Sequence, residues 1–181
     1  MNNEVYEKSI ILIGPSGAGK STIAQSLKEK LFMPRLCLDS VANRLHEDKI
    51  IMNKYHDSDE FNQYLILTTL LNVDSPRICD FGAGHSIFNN KEIFESIKKE
   101  LSPFKNIVLL IPSKEIKYSL EVLNSRSTSR SGKKENYDFL ISSCNEELAT
   151  IIVYTESKTP DEISNEILSL IEDKKNISPH L

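Results

Sequence analysis

Short runs of apolar, β-branched residues alternate along the chain with segments of helical periodicity. The apolar runs span residues 9–13, 35–39, 77–81, 106–112 and 149–154. Apolar positions at helical spacing predict helices over residues 19–31, 40–47, 59–72, 90–101, 113–125, 136–143 and 160–174. Strands that alternate with helices form parallel sheets, because a parallel connection needs a crossover. The pattern therefore predicts an α/β fold with a five-stranded parallel sheet and helices on both of its faces.

The first apolar run leads directly into a glycine-rich sequence. Residues 14–21 read Gly-Pro-Ser-Gly-Ala-Gly-Lys-Ser, which is the G-x-x-x-x-G-K-S pattern of a phosphate-binding P-loop. Residues 23–31 continue at helical spacing, so the loop opens a helix whose N-terminus favours phosphate. Lys20 is expected to bridge the β- and γ-phosphates, and Ser21 to offer its hydroxyl to Mg²⁺. ATP and Mg²⁺ are the expected ligands, and the residues predicted to bind the nucleotide are Gly14, Pro15, Ser16, Gly17, Ala18, Gly19, Lys20, Ser21 and Thr22.

Composition limits the other possibilities. The length of 181 residues predicts a single domain over residues 1–181. The apolar runs are too short to cross a membrane and no segment has the pattern of a signal peptide, so we expect a soluble, cytoplasmic protein without a membrane partner. A net charge of −4 makes nucleic acid an unexpected partner. Cys37 and Cys79 lie in apolar runs without metal-ligand spacing and are expected to be reduced core residues.

One segment has no apolar residue. Residues 124–136 carry four positive charges against one negative charge. A segment so polar cannot bury itself, and it is expected to be mobile.

The order of these parts resembles the small P-loop kinases of the shikimate-kinase and adenylate-kinase type. After the phosphate loop come an aspartate at the end of the second strand, Asp39, and a glycine-rich turn after the third, residues 80–84. The fourth strand leads through residues 112–113 into the helix before the polar segment. The resemblance implies a three-layer P-loop fold with strand order 2-3-1-4-5 and a small lid at about residues 124–136. It also implies transfer of the γ-phosphate of ATP to a hydroxyl of a small molecule.

Two aspartates stand at the carboxyl edge of this implied sheet. Asp39 is expected to act as a base or to anchor the acceptor hydroxyl, because the ends of neighbouring parallel strands open onto one crevice. Its alternative role is to cap the following helix. Asp80 is expected to hold Mg²⁺ directly or through water, and its alternative role is that of a turn residue.

The glycine-rich turn supplies further candidates for acceptor binding. Gly82 and Gly84 resemble the glycine pair that brings backbone close to the acceptor in shikimate-type kinases, and an ordinary turn is the alternative. His85 stands beside them and either faces the acceptor or is structural. Arg44 is reachable from the same crevice.

The polar segment occupies the position of the family's lid. Arg126 and Arg130 match its arginine-rich entry, and the resemblance implies that they stabilise charge on the transferring phosphate. The alternative is an idle, solvated loop.

The chain departs from shikimate kinases at the arginines that read the substrate carboxylate. The family has a Phe-Arg pair on the helix after the second strand, where this chain has Phe61 and Asn62. The family's second arginine precedes the last strand, where residues 139–145 contain none. Guanidinium groups pair with carboxylates bidentately, so their loss removes the anchors of an anionic acceptor. We therefore expect a relative of these enzymes whose acceptor is not shikimate.

Two other functions remain open at this point. A nucleoside or nucleotide kinase is one, although a nucleotide kinase needs several arginines around its acceptor and only Arg35, Arg44 and Arg77 precede the lid. A regulatory protein that binds and slowly hydrolyses a nucleoside triphosphate is the other. The guanine-reading Asn-Lys-x-Asp motif of GTPases is missing after the fourth strand.

Overall fold

A computed structural model describes residues 3–55, 57–70, 73–126 and 130–177, with the backbone alone at residues 130–133 and 177. Within these residues, five strands form one sheet: β1 (Ile10–Ile13), β2 (Arg35–Cys37), β3 (Ile78–Asp80), β4 (Asn106–Ile111) and β5 (Ile151–Tyr154). Their order is β2-β3-β1-β4-β5, and every pair is parallel. The predicted fold class and strand order are confirmed. This order places the carboxyl ends of the first three strands side by side, where parallel sheets bind their ligands.

The helices of the described residues cover both faces of this sheet. They are α1 (Asn3–Lys8), α2 (Lys20–Leu31), α3 (Leu38–His46), α4 (Lys49–Lys54), α5 (Ser58–Leu70), α6 (Lys91–Leu101), α7 (Ile116–Arg126), α8 (Arg130–Ile141), α9 (Ser143–Leu148) and α10 (Pro160–Ile177). A 3₁₀ turn spans Ala83–Ser86. None of these helices is both long and apolar enough to cross a membrane.

The core is divided in two by the sheet. Side chains alternate along β1, so that Ile11 and Ile13 pack into one cluster while Ile10 and Leu12 pack into the other. The first cluster is completed by buried residues of α3, α5 and α6, and the second by residues of α2, α7 and α10. The fold therefore has three layers, with a core on each side of a sheet buried on both faces.

Three short helices, α1, α4 and α9, were not predicted. Each has six residues, which is too short for helical periodicity to show in the sequence. The second strand is also shorter than predicted, because it pairs only with β3 and ends at Cys37. Asp39 consequently lies in the first turn of α3 rather than at the end of a strand.

The polar segment at residues 124–136 contains more helix than predicted, since no helix was expected between residues 126 and 135. The described residues of this segment are mostly helical, since α7 continues to Arg126 and α8 begins at Arg130. Residues 127–129 lie outside the described part of the chain. Farther along α8, Phe139 is 2% exposed and packs into the core, so tertiary contacts outweigh the polar composition of the first turns.

The cysteines are all free. Cys79 is fully buried as predicted, and burial raises the pKa of its thiol to about 12. Cys37 is half-buried at the edge strand. A thiol so resistant to ionisation as that of Cys79 is a packing residue rather than a nucleophile.

Asp59 joins two helices of the first core cluster. Its side chain is 3% exposed, and its Oδ2 accepts the backbone N–H groups of Asn89 at 2.7 Å and Asn90 at 2.6 Å. Asn90 is the N-cap of α6, whereas Asp59 lies in the first turn of α5. The carboxylate thus fixes the start of one helix against the start of the other.

We expect Asp59→Ala to lower the free energy of unfolding by about 2 kcal/mol, because it leaves two backbone donors without their charged acceptor. Denaturant unfolding measures this loss. Asp74→Ala is the matched control, since Asp74 is 94% exposed and pairs with Arg77 only at the surface. Equal stability of the two variants would contradict the anchoring role of Asp59.

Candidate active site

The loop between β1 and α2 curls around a cavity of about 290 Å³. Gly17 and Gly19 adopt φ values of 83° and 89°, in the left-handed region that favours glycine. Gly14 is needed for another reason, since a Cβ there would lie 2.5 Å from the carbonyl oxygen of Leu110. The lining residues are Ser16, Gly17, Gly19, Lys20, Ser21, Thr22, Asp39, Gly82 and Ala83. Of the predicted nucleotide-binding residues, Gly14, Pro15 and Ala18 do not line this cavity.

Lys20 is turned onto the loop itself. Its Nζ donates to the carbonyl of Gly14 at 2.7 Å and to that of Pro15 at 2.9 Å. Burial lowers the pKa of this ammonium to about 8, and the nearby carboxylates of Asp80 and Asp39 offset only part of that effect. A triphosphate in the cavity would give Lys20 stronger, anionic partners in place of two carbonyls.

We expect ATP binding to be accompanied by proton uptake at pH 8 to 9. In the free protein part of the Lys20 population is neutral there, and bound phosphates raise its pKa toward the ordinary value, so about half a proton is taken up at pH 8. Calorimetry in buffers of different ionisation enthalpy measures this uptake. Lys20→Arg is the control, because a guanidinium stays protonated throughout this range. ATP binding without proton uptake in the parent protein would contradict the lowered pKa.

Asp80 connects the phosphate loop with two strands. Its side chain is buried, and its Oδ2 accepts hydrogen bonds from the Ser21 hydroxyl at 2.8 Å and from the Arg35 guanidinium at 2.5 Å. Arg35 begins β2, directly beside β3. This contact of Arg35 was not predicted from the sequence. The sequence feature that could have indicated it is an arginine within an apolar strand, because a charge in that position needs a buried partner.

The donors at this point suit Mg²⁺. The Ser21 hydroxyl and the Asp80 carboxylate are the hard oxygen ligands that this ion prefers. The described residues contain no cluster of three or more His, Cys, Asp or Glu able to hold a metal. The ion's other ligands would therefore be phosphate oxygens and water, and Asp80 would be shared between the ion and Arg35.

Asp39 reaches from α3 over the glycine-rich turn. A Cβ on Gly82 would lie 1.9 Å from Asp39 Oδ1, so only glycine leaves room for this carboxylate. The N-cap of α3 is Cys37, and no side chain caps this helix. The alternative role of Asp39 as a helix cap is therefore wrong. The side chain is 62% exposed and lines the cavity of the phosphate loop.

His85 supports this turn in its neutral form. Its Nδ1 accepts the backbone N–H of Gly82 at 3.1 Å and lies 3.7 Å from Asp39 Oδ1. A nitrogen that accepts a hydrogen bond carries no proton, so it does not form an ion pair with Asp39. Burial lowers the pKa of His85, which outweighs the opposite influence of Asp39. His85 thus fixes the turn and leaves the carboxylate of Asp39 without a hydrogen-bond donor among the described residues.

We expect Gly82→Ala to reduce turnover by about 100-fold, because the new methyl group must displace Asp39 and a misplacement of about 1 Å has effects of that size. ATP affinity should change little. Steady-state kinetics and nucleotide titration measure both quantities. Gly84→Ala provides the comparison, since a Cβ there meets no atom within 4 Å and leaves Asp39 in place. Equal turnover losses in the two variants would contradict the steric argument.

A second cavity, of about 630 Å³, adjoins the first, and Ala83 lines both. Its walls come from α3, α4, α5, α8 and the 3₁₀ turn. The lining residues are His46, Met52, Tyr55, Asp57, Ser58, Asp59, Phe61, Asn62, Ala83, Gly84, His85, Ile87, Asn89, Glu135 and Asp138. Neither His46 nor the four carboxylates were predicted to lie at this site, because nothing in the local sequence shows that α5 and α8 face one space.

The structure brings some of the remaining predicted residues to the two cavities and leaves others away from them. Arg126 comes from α7 to the phosphate loop, where its guanidinium donates to the Gly17 carbonyl at 3.1 Å. The side chain of Arg130 lies outside the described residues. Arg44 is exposed and lines neither cavity, so the structure does not bring it to the site. Gly84 and His85 line the larger cavity, whereas Asp39 and Gly82 line the smaller one.

Comparison with known proteins identifies a sequence relative over nearly the whole chain. A shikimate kinase from Enterococcus faecalis (strain ATCC 700802 / V583) is 31% identical over 175 residues, which cover 92% of this chain and 99% of the relative. No model of a protein family matches the chain.

Solved structures show the same fold. A shikimate kinase from Acinetobacter baumannii in complex with shikimate aligns with a TM-score of 0.66 at 20% identity, over 96% of this chain and 99% of that protein. A gluconokinase from Sinorhizobium meliloti 1021 aligns with a TM-score of 0.62 at 16% identity, over 97% and 99% of the two chains. The fold is therefore shared by kinases named for different acceptors.

Proposed function

Because the chain belongs to the shikimate kinase family, we propose that it transfers the γ-phosphate of ATP to a hydroxyl of a small molecule other than shikimate. The observation that carries this proposal is the presence of Asp39 in the cavity of the phosphate loop, which shares Ala83 with a second, larger cavity. The smaller cavity is the phosphate site, and the larger has the volume of a small-molecule pocket. An acceptor in the larger cavity would present its hydroxyl to Asp39 on the phosphate side of Ala83.

Each of these side chains has a separate role in phosphoryl transfer. Asp39 takes the proton of the acceptor hydroxyl as its oxygen bonds to the γ-phosphorus, while the bond from that phosphorus to the β-phosphate oxygen breaks and ADP leaves. Lys20 holds the β- and γ-phosphates. Arg126 is near enough to the loop to stabilise charge on the transferring group, and we assign the same role to Arg130.

Ser21 and Asp80 would hold Mg²⁺, which neutralises phosphate charge when bound. Arg35 pairs with Asp80, whose carboxylate also accepts the Ser21 hydroxyl, and so helps to hold that carboxylate at Ser21. These residues orient the donor rather than the acceptor.

The larger cavity supports an acceptor without a carboxylate. Asn62 stands where the family's first arginine is expected, and its amide donates to the Gly84 carbonyl at 3.0 Å. Asn145, within the stretch that lacks the second arginine, is buried and donates to the carbonyl of Phe139 at 3.3 Å. No described arginine or lysine lines the cavity. A bound carboxylate would lose its hydration without gaining a charged partner.

The same observations disfavour a nucleotide as acceptor. Arg35 is bound to Asp80, and Arg77 pairs with Asp74 at the surface. Neither is available for an acceptor phosphate. A nucleoside remains compatible with the size of the cavity.

We expect ADP release to depend on an added acceptor, and Asp39→Asn to lower kcat by about 10² to 10⁴ with little change in ATP affinity. The test is a coupled assay of ADP release with a panel of hydroxylated metabolites and nucleosides. Asp161→Asn is the matched control, since Asp161 lies on α10 and pairs with Lys30 at the surface. Slow ADP release that no acceptor stimulates would favour a regulatory protein instead.

A further inference from the structure

The charge of the larger cavity points to the chemistry of the acceptor. Apart from Tyr55, its described ionisable lining residues are four carboxylates and two histidines: Asp57, Asp59, Glu135, Asp138, His46 and His85. A concave site lined by one sign of charge raises the local concentration of ligands of the other sign.

The four carboxylates differ in what they already bind. Oδ2 of Asp59 accepts two backbone N–H groups, and Asp57 caps α5 by accepting the N–H of Asp59 at 2.7 Å. Glu135 and Asp138 are exposed, and neither has an ion-pair partner among the described residues. These two are three positions apart on α8, which places them on one helix face.

Few of the described residues supply positive charge to balance them. Burial lowers the pKa of His85, so this ring is neutral at physiological pH. Lys20 and Arg126 belong to the donor side, because both bind carbonyl groups of the phosphate loop. Lys134 precedes Glu135 on α8 but does not line the cavity.

We propose that the acceptor is a hydroxylated cation, such as an amino sugar, an aminocyclitol or an amino alcohol. Its hydroxyl lies at Asp39, and its ammonium group lies against Glu135 and Asp138. This inference rests on the proposed function, since it names the acceptor class of the same site. Two carboxylates on a wall of the cavity supply the partner that an ammonium group needs when it leaves water.

The first experiment compares hydroxylated acceptors of similar size that differ in charge. Glucosamine, glucose and gluconate form one series, and 2-deoxystreptamine, myo-inositol and shikimate form another. We measure ADP release and, by calorimetry, binding at millimolar concentrations. The ammonium member is expected to be favoured in kcat/KM by at least about tenfold over the neutral member. Preference for a carboxylate member, or failure of every ammonium member to bind, overturns the inference.

The second experiment removes the two charges and keeps the side-chain shapes. Glu135→Gln combined with Asp138→Asn should raise the KM or Kd of the ammonium acceptor by about tenfold and leave that of the neutral acceptor unchanged. Glu172→Gln, on the exposed surface of α10, is the matched control and should change neither value. Equal weakening of the ammonium and neutral acceptors would show a structural effect and overturn the assignment.

The outcomes separate this inference from the proposed function. Acceptor-dependent ADP release with a carboxylate acceptor preferred supports the kinase and overturns the cationic acceptor. Binding of ammonium ligands that depends on Glu135 and Asp138, without any ADP release, supports the charge assignment and overturns phosphoryl transfer.

Discussion

One buried carboxylate holds the catalytic edge of the sheet together. Asp80 binds the first turn of α2 through Ser21 and the beginning of β2 through Arg35, so it joins the segments that follow β1, begin β2 and end β3. Removing water from a carboxylate is costly, and a guanidinium together with a hydroxyl offsets that cost only in a fixed geometry. The phosphate loop is therefore positioned by an interaction far along the chain as well as by its own glycines.

The acceptor side depends on a steric constraint instead. Gly82 leaves just enough room for Asp39, and a neutral His85 holds the backbone of the turn. The carboxylate is consequently placed by backbone and packing, and among the described residues no hydrogen-bond donor contacts it. A carboxylate left open in this way can accept a hydrogen bond from a ligand hydroxyl.

The parts of this site that depend on short stretches of sequence could be predicted. The phosphate loop, the sheet and the approximate places of Asp39, Asp80 and Gly82 follow from short patterns and from strand order. Arg35 and Glu135 were missed because their roles arise from contacts across strands and between helices, which leave no local pattern. The polar first turns of α8 were not predicted to be helical, because the contact that secures this helix to the core comes from Phe139, farther along the chain. Arg44 was wrongly expected at the crevice, because the side of α3 on which it lies depends on the residue at which the helix begins.

The two separate cores on either side of the sheet affect how a protein of this fold accumulates substitutions during evolution. The walls of the larger cavity belong mainly to helices that pack into the first cluster, whereas α2 and α7, which carry the phosphate loop and Arg126, pack into the second. Substitutions in distant, non-contacting regions act nearly independently on stability. A lineage can therefore exchange one acceptor for another by altering a single layer, and its use of the phosphate donor is inherited unaltered.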